Sequence, residues 1–287
     1  MKAFTPIRLV PALAAVAVAA LLAACASGGP SGASSSGTLS REAIAQIVNN
    51  PARAAADRDN DKRRKPEDTL AFIGIRPGMV ALDVSAGRGY TTELLARAVG
   101  PTGRVYGQRP PPPPAPPPAP AAPEGQSHPT ATPAAAAPAP AVMPTLAERA
   151  KNPATPNIIP VARKFDEPVP PEVAPGSLDV VTLMFNYHDF GYANINRAAM
   201  NAAIFAALKP GGVYVVADHA GRPGTGISES GTLHRVEEAF VRKEVEAAGF
   251  KTVASADFLR NPNDPRDKNT PEPAQPKDEF VLKFVKP

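Results

Sequence analysis

The chain has no tryptophan and a single cysteine, Cys25, among 287 residues. An intrachain disulfide is therefore impossible, and a cysteine-rich zinc site is excluded with it. Excess charge is also missing. The formal +4 falls to +2 once Lys2 and Arg8, near the N-terminus, are set aside, which is not the charge of a nucleic-acid-binding surface. One long apolar run exists, residues 9–24, interrupted only by Pro11, and it is short for a membrane span. Proline is the residue in surplus, with 37 copies.

Lys2 and Arg8 ahead of the apolar run give it the form of a secretory leader. The run ends Leu22-Ala23-Ala24-Cys25, which resembles the bacterial lipobox. That resemblance implies a signal peptide over residues 1–24 and a lipid anchor on Cys25. Ala26 after the cysteine, rather than Asp, implies the periplasmic face of the outer membrane. An ordinary signal peptide with an incidental cysteine is the competing reading. Residues 25–38 are rich in Ser and Gly and form a flexible tether, and residues 39–287 carry the domain.

The domain begins with a short amphipathic helix over 39–48. A highly charged stretch, 53–65, reads as a solvated helix face or loop. Pro66, followed by Glu67 and Asp68, suits the first turn of another helix, closed near Gly74. Strands follow over 79–84, 103–108, 157–162, 178–185, 213–217, 250–254 and 279–285. Helices fall over 93–99, 146–150, 194–208 and 233–248. Strands alternating with helices predict an α/β domain, a doubly wound and mostly parallel sheet. Residues 109–144 interrupt it, and 110–144 alone hold 15 of the prolines. Proline donates no backbone hydrogen bond, so this Pro/Ala-rich insertion is expected to be an extended loop. It serves either as a spacer or docking ligand or as a tolerated expansion.

The most informative segment is Leu82-Asp83-Val84-Ser85-Ala86-Gly87-Arg88-Gly89-Tyr90. An apolar strand ends in an acid, breaks into a glycine turn and opens a helix. In α/β sheets that arrangement brings backbone N–H groups close to a ligand. A dinucleotide fold would want a third glycine where Thr92 stands and an acid where Gln108 ends the second strand. The chain instead resembles the class I S-adenosylmethionine-dependent methyltransferases, whose first motif Asp83, Gly87 and Gly89 match, with Ser85 at its first glycine. Leu208-Lys209-Pro210-Gly211-Gly212 and Ala248-Gly249-Phe250 recur in that superfamily before its fifth and sixth strands. Phe185-Asn186-Tyr187-His188-Asp189 and Ala217-Asp218-His219 resemble exported predicted methyltransferases more narrowly.

The resemblance implies a seven-stranded Rossmann-like methyltransferase fold and S-adenosylmethionine as cofactor. The cofactor would lie over Asp83, Ser85, Ala86, Gly87 and Gly89, with Gln108 in the ribose position, Asn186 at the fourth strand's end and Asp166 a weaker candidate for adenine. Tyr187, His188 and Asp189 would face the cofactor's sulfur and the methyl acceptor, with Tyr187 against the sulfonium or as a wall of the substrate pocket, His188 as proton acceptor and Asp189 as its orienter. The competing reading is a polar cap over the strand, with His188 satisfied by the backbone. Residues 221–226 are a candidate lid. No metal is expected. H-E-x-x-H is absent, and adjacent residues at a strand end point in different directions, so His188, Asp189, Asp218 and His219 should diverge. His234 should lie on a solvated helix face. The acceptor is a small molecule or an envelope component, not a nucleic acid. Two alternatives stand beside methyl transfer: a ligand-binding lipoprotein of the same fold without turnover, and an anchored interaction protein using the proline-rich segment.

Overall fold

The computed structural model of the chain describes residues 37–112 and 143–287. The leader, Cys25, most of the tether and the insertion from 113 to 142 lie outside the described residues. Among the described residues, no helix is long and apolar enough to cross a membrane.

Three helices come first: α1 (Arg41–Val48), α2 (Ala55–Arg64) and α3 (Pro66–Ile73). The alternation that follows is β1 (Val80–Val84), α4 (Tyr90–Val99), β2 (Arg104–Arg109), α5 (Leu146–Ala150), β3 (Ile158–Ala162) and β4 (Leu178–Met184). After β4 come α6 (Asp189–Tyr192), α7 (Arg197–Ala207), β5 (Leu208–His219), α8 (Ser230–Leu233), α9 (Glu238–Ala247), β6 (Lys251–Ala256) and β7 (Glu279–Val285). The strands form one sheet in the order β3-β2-β1-β4-β5-β7-β6. The first five are parallel, and β7 inserts antiparallel between β5 and β6. This is the doubly wound, mostly parallel seven-stranded α/β sheet of the methyltransferase fold.

Local chemistry sets the element ends. Pro66 occupies the first turn of α3, where its missing N–H costs nothing, and Gly74 closes that helix in the left-handed region. Thr145 and Glu148 form a reciprocal capping box that restarts the chain at α5 after the insertion. Apolar clusters cover both faces of the sheet, one built around Leu82, Val181, Leu183 and Phe284, the other around Ala81, Leu95, Val180 and Val215. Strands buried on both faces read as mostly apolar rather than alternating, as β4 does apart from Asp179 and Thr182.

Several sequence expectations need correction. β2 extends through Arg109, which pairs with Ala162, so the insertion starts one residue later than expected. β5 starts at Leu208 rather than Val213, because Gly211 and Gly212 exchange backbone bonds with Lys286 beside the antiparallel β7. The single helix expected over 233–248 is two, α8 and α9. Between them Val236 bridges to Ala220, and Arg235 is fully buried with its guanidinium 2.8 Å from Asp264. The charged 53–65 stretch keeps a solvated helix face, with Arg58, Asp59, Lys62 and Arg63 exposed, but it is not solvated throughout. It forms α2, in which Asp57 is buried, and Arg53 just before it is buried too.

Candidate active site

β1 delivers the chain to a turn at its carboxyl end, where α/β sheets bind ligands. Ser85, Gly87 and Gly89 all take positive φ, at 58°, 55° and 86°. Ser85 thus keeps the left-handed conformation of the glycine it replaces, and its Oγ–H donates to Asn186 Oδ1. Gly87 and Arg88 are exposed, and their N–H groups make no hydrogen bond among the described residues. Among the described residues a Cβ on Gly87 would meet only the Ser85 carbonyl, at 4.0 Å, so they leave the space over the turn open. Free N–H groups opening onto solvent at the start of α4 suit a carboxylate.

The rest of the expected donor site is committed to structure. Asp83 is buried, its two carboxylate oxygens accepting Thr92 Oγ1–H at 2.6 Å and Thr182 Oγ1–H at 2.8 Å. Burial pushes its carboxyl up to about 6 against the pull of the two threonines. Asp83 therefore braces the turn from below instead of presenting an acid to a ligand. Gln108 is fully buried: its Oε1 accepts the Ser85 N–H at 2.8 Å and its Nε2 donates to the Arg163 carbonyl at 2.6 Å. Fully buried with both ends engaged, it presents no surface to a ribose in this structure. The Ala86 N–H goes to the Gln108 carbonyl and the Gly89 N–H to the Ala86 carbonyl. Gly89 is glycine for packing, since a Cβ there would come within 2.9 Å of Leu146 and Arg149. Of the seven residues assigned to the cofactor, Gly87, Ser85 and Asn186 remain accessible at the turn.

The chain following β4 does not continue as a strand. Phe185 turns left-handed at φ 63°, and Asp189 opens α6 with His188 as its N-cap residue. Tyr187 faces away from the cleft, fully buried, its hydroxyl 2.7 Å from Glu244 and 3.2 Å from Asn201 Nδ2. Burial and the Glu244 carboxylate push its phenol far above the ordinary range, so Tyr187 is a core residue and not a wall of the site. His188 is oriented by Asp218, which lies 2.6 Å from Nδ1 and also accepts the His188 N–H. Asp189, expected to orient His188 alone, instead sits between two imidazoles: Oδ1 is 3.2 Å from His188 Nε2 and 3.0 Å from His234 Nδ1. His234 thus faces the site rather than a solvated helix face. Burial disfavours the charged form of His188, but the Asp218 and Asp189 carboxylates outweigh it and hold the imidazole above its ordinary value. His219 lies beside His188, with ring centroids 5.2 Å apart, and its Nδ1 is 2.9 Å from Glu279. Burial pulls its imidazole below the ordinary value despite Glu279 and Asp218. Residues 221–226 are not a free lid, because Glu237 accepts the N–H groups of both Gly224 and Gly226 at 3.0 Å.

Sequence reasoning missed α2 altogether as a part of the site. Arg149 from α5 grips Asp57 with both guanidinium nitrogens, at 2.7 and 2.8 Å, and also pairs with Glu93. Its Nε–H donates to the Arg88 carbonyl in the glycine turn. Tyr90 and Arg53 both bind Asp61. At the far end of the helix, Arg64 stacks 3.7 Å from the Phe185 ring centroid, and burial, then Arg63, push it down to about 10. Arg63 reaches toward Glu279. An open cleft of about 820 Å³ borders this end, its lining including Lys62, Arg63, Lys65, Arg260, Lys277 and Glu279. The one available sequence signal was the mixed sign of the 53–65 charges, which fits ion pairing as well as solvation.

No family model and no curated protein sequence matches the chain. Solved structures share its fold. A SAM-dependent methyltransferase from Aquifex aeolicus is 14% identical, aligns over 87% of this chain and 100% of its own, and gives a TM-score of 0.51. The [4+2]-cyclase SpnF is also 14% identical, over 78% of this chain and 82% of its own, with a TM-score of 0.50. At such identities the likeness is one of fold, and the presence of a cyclase shows that the fold alone does not select the reaction.

Proposed function

We propose that the protein is an S-adenosylmethionine-dependent methyltransferase acting on a small-molecule or envelope acceptor, exported and anchored through Cys25. The observation that carries this reading is the exposed turn after β1. There the N–H groups of Gly87 and Arg88, unbonded among the described residues, lie beside Ser85 and Asn186, in a sheet of methyltransferase topology. Those N–H groups would hold the cofactor's carboxylate, and Asn186 would line its sulfur end. When bound, the cofactor supplies a methyl group already activated on a sulfonium. What remains for the chain is to align the acceptor and exclude competing water. The acceptor's place is beside His188, Asp189 and His234, which cluster where β4 ends and are joined to the donor turn through Asn186. The cationic lining of the neighbouring cleft favours an anionic acceptor.

A second reading, ligand binding without turnover, draws support from Gln108, whose buried and engaged amide is not presented to a ribose. Calorimetry with S-adenosylmethionine and S-adenosylhomocysteine tests both readings, and Gly87→Val should abolish the heat by filling the turn. Radiolabelled methyl transfer to envelope extract then separates them. Binding without transfer supports the second reading, and no heat at high micromolar cofactor refutes the first.

A further inference from the structure

We infer that His188, Asp189 and His234 form a binding site for a first-row divalent transition metal, on the acceptor side of the cleft. Their ligand atoms, one from each residue, lie within 4.8 Å of one another. Asp189 Oδ1 is 3.2 Å from His188 Nε2 and 3.0 Å from His234 Nδ1. Metal–nitrogen and metal–oxygen bonds of about 2.1 Å place neighbouring ligands roughly 3.0–3.4 Å apart in octahedral or tetrahedral geometry. The two separations match edges of such a polyhedron.

The surroundings orient two of the three ligand atoms and hold the third residue in place. Asp218, fully buried and accepting the backbone N–H groups of His188 and His219 at 2.8 and 2.7 Å, also accepts a hydrogen bond from His188 Nδ1–H. That leaves the Nε2 lone pair directed at the cluster, the carboxylate–histidine–metal arrangement. Asn186 Nδ2–H donates to Asp189 Oδ2 at 2.7 Å, so Oδ1 is the oxygen left to coordinate. His234 follows α8 directly, and that helix is tied to the first ligand by Ser230, whose Oγ–H donates to the His188 carbonyl. Gly191 permits this contact, since a Cβ there would come within 2.7 Å of Ser230 Oγ. Both ligand-bearing segments are therefore held in register.

The donor set chooses the ion. Two imidazoles and one carboxylate suit zinc, cobalt, nickel or iron, whereas magnesium and calcium prefer oxygen throughout. The site has an open side: the Asp189 and His234 side chains are 32% and 40% exposed, against 5% for His188. Coordination positions therefore remain for an acceptor oxygen. That assignment of the open positions rests on the methyl-transfer reading, and the metal site itself does not.

Untagged full-length protein, stripped with chelator and titrated with Co²⁺, tests the inference. The expected result is visible d–d absorption saturating at one equivalent and quenched by Zn²⁺. His234→Ala and Asp189→Asn, both at partly exposed positions, should each weaken binding at least about 100-fold with the circular dichroism unchanged. Asp218→Asn should weaken it about 10- to 100-fold, as loss of a supporting carboxylate does. His128→Ala, in the insertion, should leave it unchanged. Absent d–d bands in natively folded protein, or equal affinity in His234→Ala, would overturn the site in favour of a plain hydrogen-bonded cluster. Cobalt binding with no heat from S-adenosylmethionine would uphold the metal site and remove only the methyl-transfer reading.

Discussion

Asp83→Asn should stabilise the protein at neutral pH and do nothing at acid pH. Asp83 is buried with threonine hydroxyls as its hydrogen-bond partners, and its carboxyl is raised from 3.8 to about 6. At about 1.36 kcal/mol per pH unit, that rise corresponds to about 3 kcal/mol. The sign follows from proton binding. Between pH 3.8 and about 6 the native state holds a proton that the unfolded chain has released, so stability falls as pH rises through that window. Below it neither state is ionised and the favourable contribution is fully present. Above it the native state carries a buried anion at full cost. Asparagine imitates the protonated acid and can still bond both threonines, accepting from one hydroxyl and donating to the other. Urea unfolding followed by far-ultraviolet circular dichroism, the natural probe in a chain without tryptophan, gives the stability of both forms. The difference between them cancels every other titration. It should be near zero at pH 3 and reach about 2–3 kcal/mol in favour of the variant at pH 7.5. A difference independent of pH, or a variant less stable at pH 7.5, would refute the claim that Asp83 is sealed from solvent and from any cation.

Ser85→Gly should be more stable than Ser85→Ala by about 1 kcal/mol, because both lose the Asn186 bond but only alanine keeps a side chain in the left-handed region. Equal stabilities in chemical denaturation would contradict that strain. Arg149→Leu should cost about 3–5 kcal/mol, since it leaves the buried Asp57 and Glu93 carboxylates without their partner. A loss under 1 kcal/mol in the same assay would mean that the two acids find water or other cations. Tyr187→Phe should cost about 1–3 kcal/mol through the orphaned Glu244 and Asn201 bonds while leaving cofactor affinity unchanged within about twofold. A hundredfold drop in affinity on calorimetry would return Tyr187 to the site.

The sheet was legible because its signals are local. β4 announces itself as a mostly apolar stretch without strict alternation, and the glycine turn after β1 follows an apolar strand and precedes a helix. Elements fixed by distant partners were not legible. α2 reads as a solvated charged stretch, yet Asp57 is buried through Arg149, 92 residues further on. Nothing in the charged pattern of 233–248 marks a break, because the break is made by Arg235 reaching Asp264 and by Val236 bridging back to Ala220. Neither partner adjoins the segment it interrupts. β5 gained its first residues from pairing with chain from the far end of the domain, which a turn-like Lys209-Pro210-Gly211-Gly212 hides.

The site itself failed to be read in an instructive direction. Ser85 departs from the glycine of the resembled motif in letter but not in conformation, so the turn survives the substitution. Gln108 departs in letter and in role, becoming a strut between the turn and the Arg163 carbonyl. The expectation that His188 and Asp189 point apart assumed that they extend a strand, where neighbouring side chains alternate. β4 ends at Met184, Phe185 reverses the backbone, and the two residues lie at the start of a helical turn instead. There an acid and the imidazole before it can converge, and they do so within 3.2 Å, with His234 closing the group from a second short helix. The premise about the strand, rather than the chemistry of the residues, concealed the cluster. It follows that Phe185, by ending the strand early, decides whether His188 and Asp189 can act on the same atom.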